Sequence, residues 1–256
     1  MSEDSTSVTT RPVTARGLAR EAGPVGLLAL AWTFLPALLG FLLLLKLGSI
    51  SSWLASLGAA GVVLYAVIFS VSAGLGLLPT YAQAILGGWV FGLALGLPAA
   101  LIGLTTASAI GYLCARMVSG PRIERLLARH PKAEIVKKSL VDTGPWRTFA
   151  IVTLIRIPPN SPFALTNLVI AACGVRLVTC LAGTAVGMLP RTAVAVAFAA
   201  AARSTGAEDI QSFVRDGLGI WVMIGGVLAM IIVIAIIGAI AKRALAQLTK
   251  DGTVRS

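Results

Sequence analysis

The chain has 256 residues, of which 57% are hydrophobic and 12% charged, and its mean hydropathy is +0.91. These values exclude an ordinary soluble domain, in which about 25% of residues are charged, and predict an integral membrane protein. The formal charge of +11 at pH 7 does not indicate a nucleic-acid partner, because the basic residues lie mostly in short flanks between apolar segments, where lysine and arginine orient membrane proteins.

The N-terminal part begins with a polar segment, residues 1–24, and continues with an apolar stretch, residues 25–47. This stretch is long enough to cross a hydrocarbon core of about 30 Å. We expect it to be retained as the first transmembrane helix and to kink at Pro36. The serines and Trp53 that follow predict an interfacial linker, which completes a unit over residues 25–57.

Residues 58–78 predict a second span, and a re-entrant hairpin follows over about 78–98. The segment LPTYAQAILGGWVFGLALGLP is bounded by prolines and has glycines in its middle, which favours two short half-helices over one unbroken helix. Residues 99–117 predict a third span, whose small residues recur every four positions and favour close helix packing over a ligand role. The residues assigned to this hairpin and to helix packing are Pro79, Gly87, Gly88, Phe91, Gly92, Gly96, Gly103 and Gly111.

Residues 118–148 interrupt the apolar pattern. Their segment RIERLLAR places apolar side chains on one face and arginines on the other, which predicts an amphipathic helix at a membrane surface. Between Arg116 and Arg147 the basic residues outnumber the acidic ones by eight to three. We therefore expect this loop to be cytoplasmic.

The second half of the chain repeats the order of the first. We expect a second re-entrant hairpin over about 150–174, then a span, residues 177–202, that is interrupted by Pro190 and Arg191. Residues 206–256 predict a hinge, a last transmembrane helix and a basic cytoplasmic tail, while the side of the N-terminus stays undetermined. The predicted fold is an all-α polytopic membrane protein with about five transmembrane helices and two opposed re-entrant helical hairpins in an inverted repeat.

Three arginines lie in or beside apolar segments that carry no carboxylate. Acidic residues are absent from 22 through 123 and from 143 through 207, so Arg116, Arg156 and Arg191 have no acidic partner in their own segments. An arginine at mid-bilayer costs about 2.5 to 3.5 kcal/mol on insertion scales. Backbone carbonyls, asparagine amides or water are one set of partners that offset this cost; a phosphate, which fits the guanidinium fork, is another.

The chain around Arg156 favours the phosphate interpretation over a purely structural one. The half-helix that begins at SPFALTN would offer free N–H groups to an anion, with Ser161 as N-cap and Pro162 at its first position. Arg191 fits either role equally, and Arg116, which closes a span, is expected to extend its side chain to the interface. The candidate substrate-binding residues are Arg116, Arg156, Pro158, Pro159, Asn160, Ser161, Pro162, Phe163, Asn167 and Arg191.

Nothing in the sequence predicts an enzyme, a metal site or a cofactor. The three cysteines lie in apolar stretches without ligand spacing, and the single histidine lies in the basic loop. No nucleophile–base set and no GxxxxGK[ST] motif are present, which argues against ATP-driven pumping by this chain.

Several motifs together resemble the DedA superfamily, in its SNARE-associated Golgi protein (VTT-domain) branch. They are GGWVFGLALG, a small-residue helix that ends in YLCAR, the basic loop, LIRIPPNSPFALTN, AACGVRL and GTAVGMLPRT. The resemblance covers about residues 58–205, and its most specific part is the pattern R-x-x-P-x-x-P-F-x-x-x-N. Carried over to this chain, the family positions are Arg156, Pro159, Pro162, Phe163 and Asn167, with Arg116 closing the first glycine helix.

This resemblance implies a multi-pass inner-membrane protein with two opposed hairpins that moves lipids between leaflets, including phospholipids or undecaprenyl phosphate carriers. The chain departs from many members because its first hairpin has no acidic residue, which argues against a carboxylate proton relay. The leading hypothesis is thus translocation of phosphate-bearing lipids, with membrane lipids as partners and a homo-oligomer left open. The alternatives are a secondary transporter of a small anion or ion-coupled solute, and a non-transporting scaffold.

Overall fold

The computed structural model describes residues 34–118, 144–157 and 163–207, together with the single residues 228 and 239. Within these ranges the chain is helical and contains no strand. The helices are α1 (Phe34–Leu45), α2 (Leu47–Ser56), α3 (Ala59–Gly74), α4 (Thr80–Val118), α5 (Pro145–Arg156), α6 (Phe163–Ala172) and α7 (Leu177–Ser204). The predicted N-terminal segment, the amphipathic loop helix and the last transmembrane helix lie outside the described residues.

Proline and glycine set two of the helix ends in the second half. α5 begins with Pro145 at its first position, where the missing N–H removes no helical hydrogen bond. α6 ends in a Schellman motif, in which Val175 N–H donates to Ile170 O at 3.4 Å. Gly174 makes this turn with a φ of 79°, a conformation that side-chain-bearing residues rarely adopt.

α4 folds back on itself at Gly92, whose φ of 69° and ψ of −172° break the helix. A Cβ added at Gly96 would lie 2.5 Å from Gly87 O, although these residues would be about 13 Å apart in a straight helix. The two arms, 80–91 and 93–118, therefore contact each other, as the predicted hairpin requires.

The extent of this first hairpin differs from the prediction. Its second arm does not end near Pro98 but continues without a break to Val118 and includes the span predicted over 99–117. Pro98 is the sixth residue of that arm, beyond its first turn, so it removes one helical hydrogen bond without ending the helix.

The predicted second hairpin falls on α5 and α6, and α5 begins at Pro145 rather than near residue 150. The turn between these helices lies outside the described residues. α5 packs along the first half of α7, and α6 packs against α4. A Cβ at Gly183 would lie 2.7 Å from Val152, and one at Gly187 would collide with Thr153 O, so α5 and α7 run in the same direction.

The first arm of α4 runs along the second half of α7. The Arg191 guanidinium lies over the Tyr81 ring, and a Cβ at Gly88 would collide with the Val196 backbone farther along α7. α5 and the first arm of α4 therefore lie beside opposite halves of the same helix.

In the part of the chain that the structure describes, two helical segments are long and apolar enough to cross a membrane, Thr80–Met117 and Leu177–Ser204. The pair Phe34–Leu45 and Leu47–Ser56 makes a third if its bend of 70° lies within one span. The bend is at Lys46, not at Pro36, and the predicted interfacial linker forms α2.

Two further predictions about spans differ from the structure. α3 has 16 residues, which is shorter than the span predicted over 58–78. α7 continues through Pro190 and Arg191 without the predicted interruption. Packing of one face of α7 against α4 holds this segment helical despite the missing proline N–H.

Candidate functional site

Arg156 is the last residue of α5, and its side chain is buried between helices, with 4% of its surface exposed. Its Nε donates to Thr184 Oγ1 of α7 at 3.1 Å. Its Nη2 donates to Ser108 Oγ of α4 at 3.3 Å and to Asn167 Oδ1 of α6. One guanidinium therefore links four helices of the fold.

Two of the other predicted site residues lie against this guanidinium. The Phe163 ring centroid is 5.0 Å from Arg156 Cζ, a cation–π distance. Asn167 is fully buried, four residues farther along α6, and places its amide oxygen on the same side chain. The sequence thus identified three side chains that the structure brings together.

The positive charge of Arg156 is met only by neutral groups among the described residues. Residues 34–118, 144–157 and 163–207 contain no aspartate or glutamate. Hydroxyl and amide oxygens and an aromatic face therefore take the place of a counter-ion. These contacts offset part of the cost of burial but leave the net charge in place.

Two polar groups near Arg156 are buried without a hydrogen bond to a described residue. They are the Asn167 Nδ2 and Thr153 Oγ1 atoms. Buried polar groups are rarely left unpaired. Since Nδ2 is a donor, the group that would satisfy it must offer an acceptor atom.

Arg191 lies one helical turn beyond Gly187, the residue of α7 that contacts Arg156 Cβ. It is 8% exposed, and its Cζ is 5.1 Å from the Tyr81 ring centroid. Its Nη2 makes a weak hydrogen bond to Met188 Sδ at 3.6 Å. The Tyr81 hydroxyl is buried without a hydrogen-bond partner among the described residues. A second arginine with incomplete hydrogen bonding thus lies next to the first.

Glycines make room for this cluster. A Cβ at Gly187 would lie 2.7 Å from Arg156 Cβ, so this glycine lets α5 approach α7 closely. A Cβ at Gly111 would lie 2.7 Å from Asn167 Nδ2, so Gly111 leaves space for the amide. Gly111, which was predicted as a packing residue, therefore also leaves room for the site residue Asn167.

The sequence reasoning missed four residues of this region: Ser108, Thr184, Gly187 and Tyr81. Gly183 and Gly187 show the same four-residue spacing that was noted in α4, so the small-residue pattern could have identified α7 as a close-packing helix. Ser108 and Thr184 are single small hydroxyl residues in apolar helices, and nothing in the sequence pairs them with Arg156.

The remaining predicted residues lie elsewhere. Arg116 is exposed in the last turn of α4, away from the cluster, where its side chain is free to reach an interface. Pro158, Pro159, Asn160, Ser161 and Pro162 lie outside the described residues. Pro79 contacts Gly40, Gly87 contacts Tyr65, Phe91 stacks on Tyr65 at 5.6 Å, and Gly103 contacts Phe69.

No group of three or more histidine, cysteine or acidic side chains that could hold a metal occurs in the part of the chain that the structure describes. Cys180 is buried, and its sulfur lies 3.8 Å from Ser108 Oγ.

Comparison with protein families matches residues 78–201 to the VTT domain. Comparisons with curated proteins and with solved structures found no match. The matched segment runs from the start of α4 into the last turns of α7 and contains Arg156, Asn167 and Arg191. The resemblance predicted from the sequence is therefore confirmed: residues 78–201 are a VTT domain, the domain of the DedA/SNARE-associated Golgi protein family.

Proposed function

We propose that this membrane protein facilitates the movement of phosphate-bearing lipids, such as phospholipids or undecaprenyl phosphate, between bilayer leaflets. The observation that carries the proposal is the buried Arg156 guanidinium, which has no carboxylate among the described residues and lies beside the unpaired amide N–H of Asn167. A cation held in this way is stabilised further by any anion that reaches it.

The unused groups suit a phosphate. Phosphate oxygens accept several hydrogen bonds at once, and the planar guanidinium matches two of them in a bidentate contact. Asn167 Nδ2 supplies a donor, and the Thr153 hydroxyl supplies either a donor or an acceptor. A cationic or proton-relaying ligand would need acceptors or carboxylates instead.

Arg191 extends this environment along α7. A headgroup that leaves Arg156 would meet Arg191 about one turn farther along, together with the unpartnered Tyr81 hydroxyl. Transfer between two cations in succession avoids a step in which the phosphate is buried without a partner, and such a step would cost several kcal/mol. The absence of carboxylates from the described ranges supports movement without a proton relay.

The surrounding architecture, in our proposal, is an inverted repeat with about five spans in the inner membrane, with the loop over 118–148 and the C-terminus cytoplasmic. Two observations support the repeat. α5 lies beside the first half of α7, whereas the first arm of α4 lies beside the second half. Each half of the chain also contains one long apolar helical segment, Thr80–Met117 in the first and Leu177–Ser204 in the second.

Reconstituted liposomes that contain a fluorescent phospholipid, quenched from outside by dithionite, test the proposal. Wild-type protein should allow most of the fluorescence to be quenched, because inner-leaflet lipid reaches the outer leaflet. Arg156→Ala should lower the rate about tenfold or more, since it removes hydrogen bonds from a charged group. Arg156→Lys should also be slower because a lysine lacks the planar fork.

Lys46→Gln provides the matched control, because it removes an exposed cation at the bend between α1 and α2 and should keep the wild-type rate. Movement at the protein-free rate in both wild type and Arg156→Ala would overturn the proposal. Uptake of radioactive inorganic phosphate by the same liposomes, independent of lipid composition, would instead indicate a soluble-anion transporter.

A further inference from the structure

A second polar region lies at the end of α7, away from Arg156. It is a cavity of about 530 Å³ between α2, the tip of the first hairpin and the C-terminal end of α7. Its lining residues are Gly48, Ser49, Ser51, Ser52, Ala55, Trp89, Val90 and Arg203. Arg203 lies twelve residues beyond Arg191 on α7, about 18 Å along the helix axis, so the cavity is distinct from the cluster around Arg156.

The donors in this cavity are only partly used. Arg203 Nη1 donates to Ala207 O at the end of α7, but Nε and Nη2 have no hydrogen-bond partner among the described residues. Trp89 is 3% exposed, and its indole N–H is buried without an acceptor. The Ser51 and Ser52 hydroxyls donate to carbonyls of their own helix, at 2.8 Å and 3.0 Å, and Ser49 is exposed.

The charge of the cavity is positive. Arg203 is its cation, and the described part of the chain contributes no carboxylate to it. A group that satisfies a guanidinium, an indole N–H and a serine hydroxyl at once must be an acceptor-rich anion. A volume of about 530 Å³ is within the range of small-molecule sites and exceeds what a single water needs.

We propose that this cavity binds a phosphate group, with Arg203, Trp89 and Ser49 as its donors. The site lies at the end of a helix long enough to cross a membrane, next to Trp53, which is 51% exposed. An exposed tryptophan beside an apolar surface is typical of a membrane interface. Both a lipid headgroup and free phosphate can supply the ligand. Binding here does not depend on lipid movement past Arg156.

Hydrogen–deuterium exchange of the full chain in a nonionic detergent tests the site with three probes. Dihexanoyl phosphatidic acid carries the phosphate on a short lipid, inorganic phosphate carries it alone, and dihexanoylglycerol lacks it. The first probe should slow amide exchange over residues 48–55, and the third should not. Protection by inorganic phosphate at equal concentration would identify a site for soluble phosphate, whereas protection by the lipid alone would identify a headgroup site.

Two variants should remove this protection. Arg203→Gln should weaken binding of dihexanoyl phosphatidic acid about tenfold, because it removes the cation. Ser49→Glu places a carboxylate in the first turn of α2, where it suits the helix dipole and repels the anion, and it should weaken binding at least as much. If Arg203→Gln fails to fold, Ser49→Glu decides the question, because it leaves the bond to Ala207 in place.

Arg176→Gln is the control, because it removes an exposed arginine at the opposite end of α7 and should leave the affinity unchanged. The proposal is overturned if neither phosphate probe slows exchange over residues 48–55, or if Ser49→Glu binds with wild-type affinity. The experiment measures local binding, so a protein that moves no lipid would still show slower exchange over residues 48–55. Failure of the proposed function and failure of this site can therefore be told apart.

Discussion

The guanidinium of Arg156 is solvated by the protein rather than neutralised by it. A threonine hydroxyl, a serine hydroxyl and an asparagine amide oxygen supply its hydrogen bonds, and each comes from a different helix. Such partners lower the cost of burying the cation while leaving its charge available. A carboxylate in the same position would bind the guanidinium more strongly and would compete with any incoming anion.

The substitution Asn167→Asp tests this competition. It places a carboxylate where the amide oxygen now accepts from Arg156 Nη2, so an internal ion pair should replace the contact with a phosphate. We expect lipid movement in liposomes to fall about tenfold or more, with no loss of thermal stability. Ser56→Asp adds the same charge at an exposed position and should keep the wild-type rate. Undiminished lipid movement in Asn167→Asp would contradict a phosphate role for Arg156.

At the scale of elements, the site depends on how closely α5 lies against α7. Gly183 and Gly187 form one small-residue face of α7, and α5 packs on it through Val152 and Thr153. Lipid tails are as apolar as the side chains of the helices, so the hydrophobic effect does not drive helix association inside a membrane. Close van der Waals packing supplies the association energy instead. The same contact brings Arg156 within hydrogen-bonding distance of Thr184. The close packing of α5 on α7 therefore also positions the Arg156 side chain.

Gly187→Ala should therefore damage the site without touching its polar groups. The new methyl would collide with Thr153 O and Arg156 Cβ, and overpacking of this kind costs about 1–3 kcal/mol. We expect a lower thermal unfolding midpoint and slower lipid movement. Ala182→Val adds a larger volume on the exposed face of α7 and should change neither measurement by much. Equal behaviour of the two variants would show that close packing does not position Arg156.

At the scale of the whole molecule, α7 is the axis to which both hairpins are attached. It is about 40 Å long, enough to cross the hydrocarbon core. α5 starts beside its beginning, and the tip of the first hairpin lies beside its end. A cavity of about 270 Å³ near Arg176 and Pro145 lies at one end, and the cavity near Arg203 lies at the other. The proposed inverted repeat would place these two ends on opposite sides of the membrane.

Cysteine labelling in sealed vesicles tests this arrangement. In a chain whose three native cysteines are replaced by alanine, Trp146→Cys and Ser204→Cys introduce thiols at two exposed positions near opposite ends of α7. A membrane-impermeant maleimide should label one variant from outside the vesicle and the other only after the vesicle is opened. Labelling of both variants from the same side would overturn the opposed arrangement of the hairpins.

The sequence by itself determined the membrane class, the family, the absence of carboxylates near the arginines and the reversal of the chain within 78–98. These properties are local, since they follow from composition, from motifs or from a glycine at the turn. The continuous course of the helices through Pro98 and Pro190 was not predicted, because packing against neighbouring helices outweighs the local effect of a proline. Only the tertiary structure decided which side chains surround Arg156: Ser108 and Thr184 are 48 and 28 positions away along the chain, and contacts between helices are set by how their faces pack.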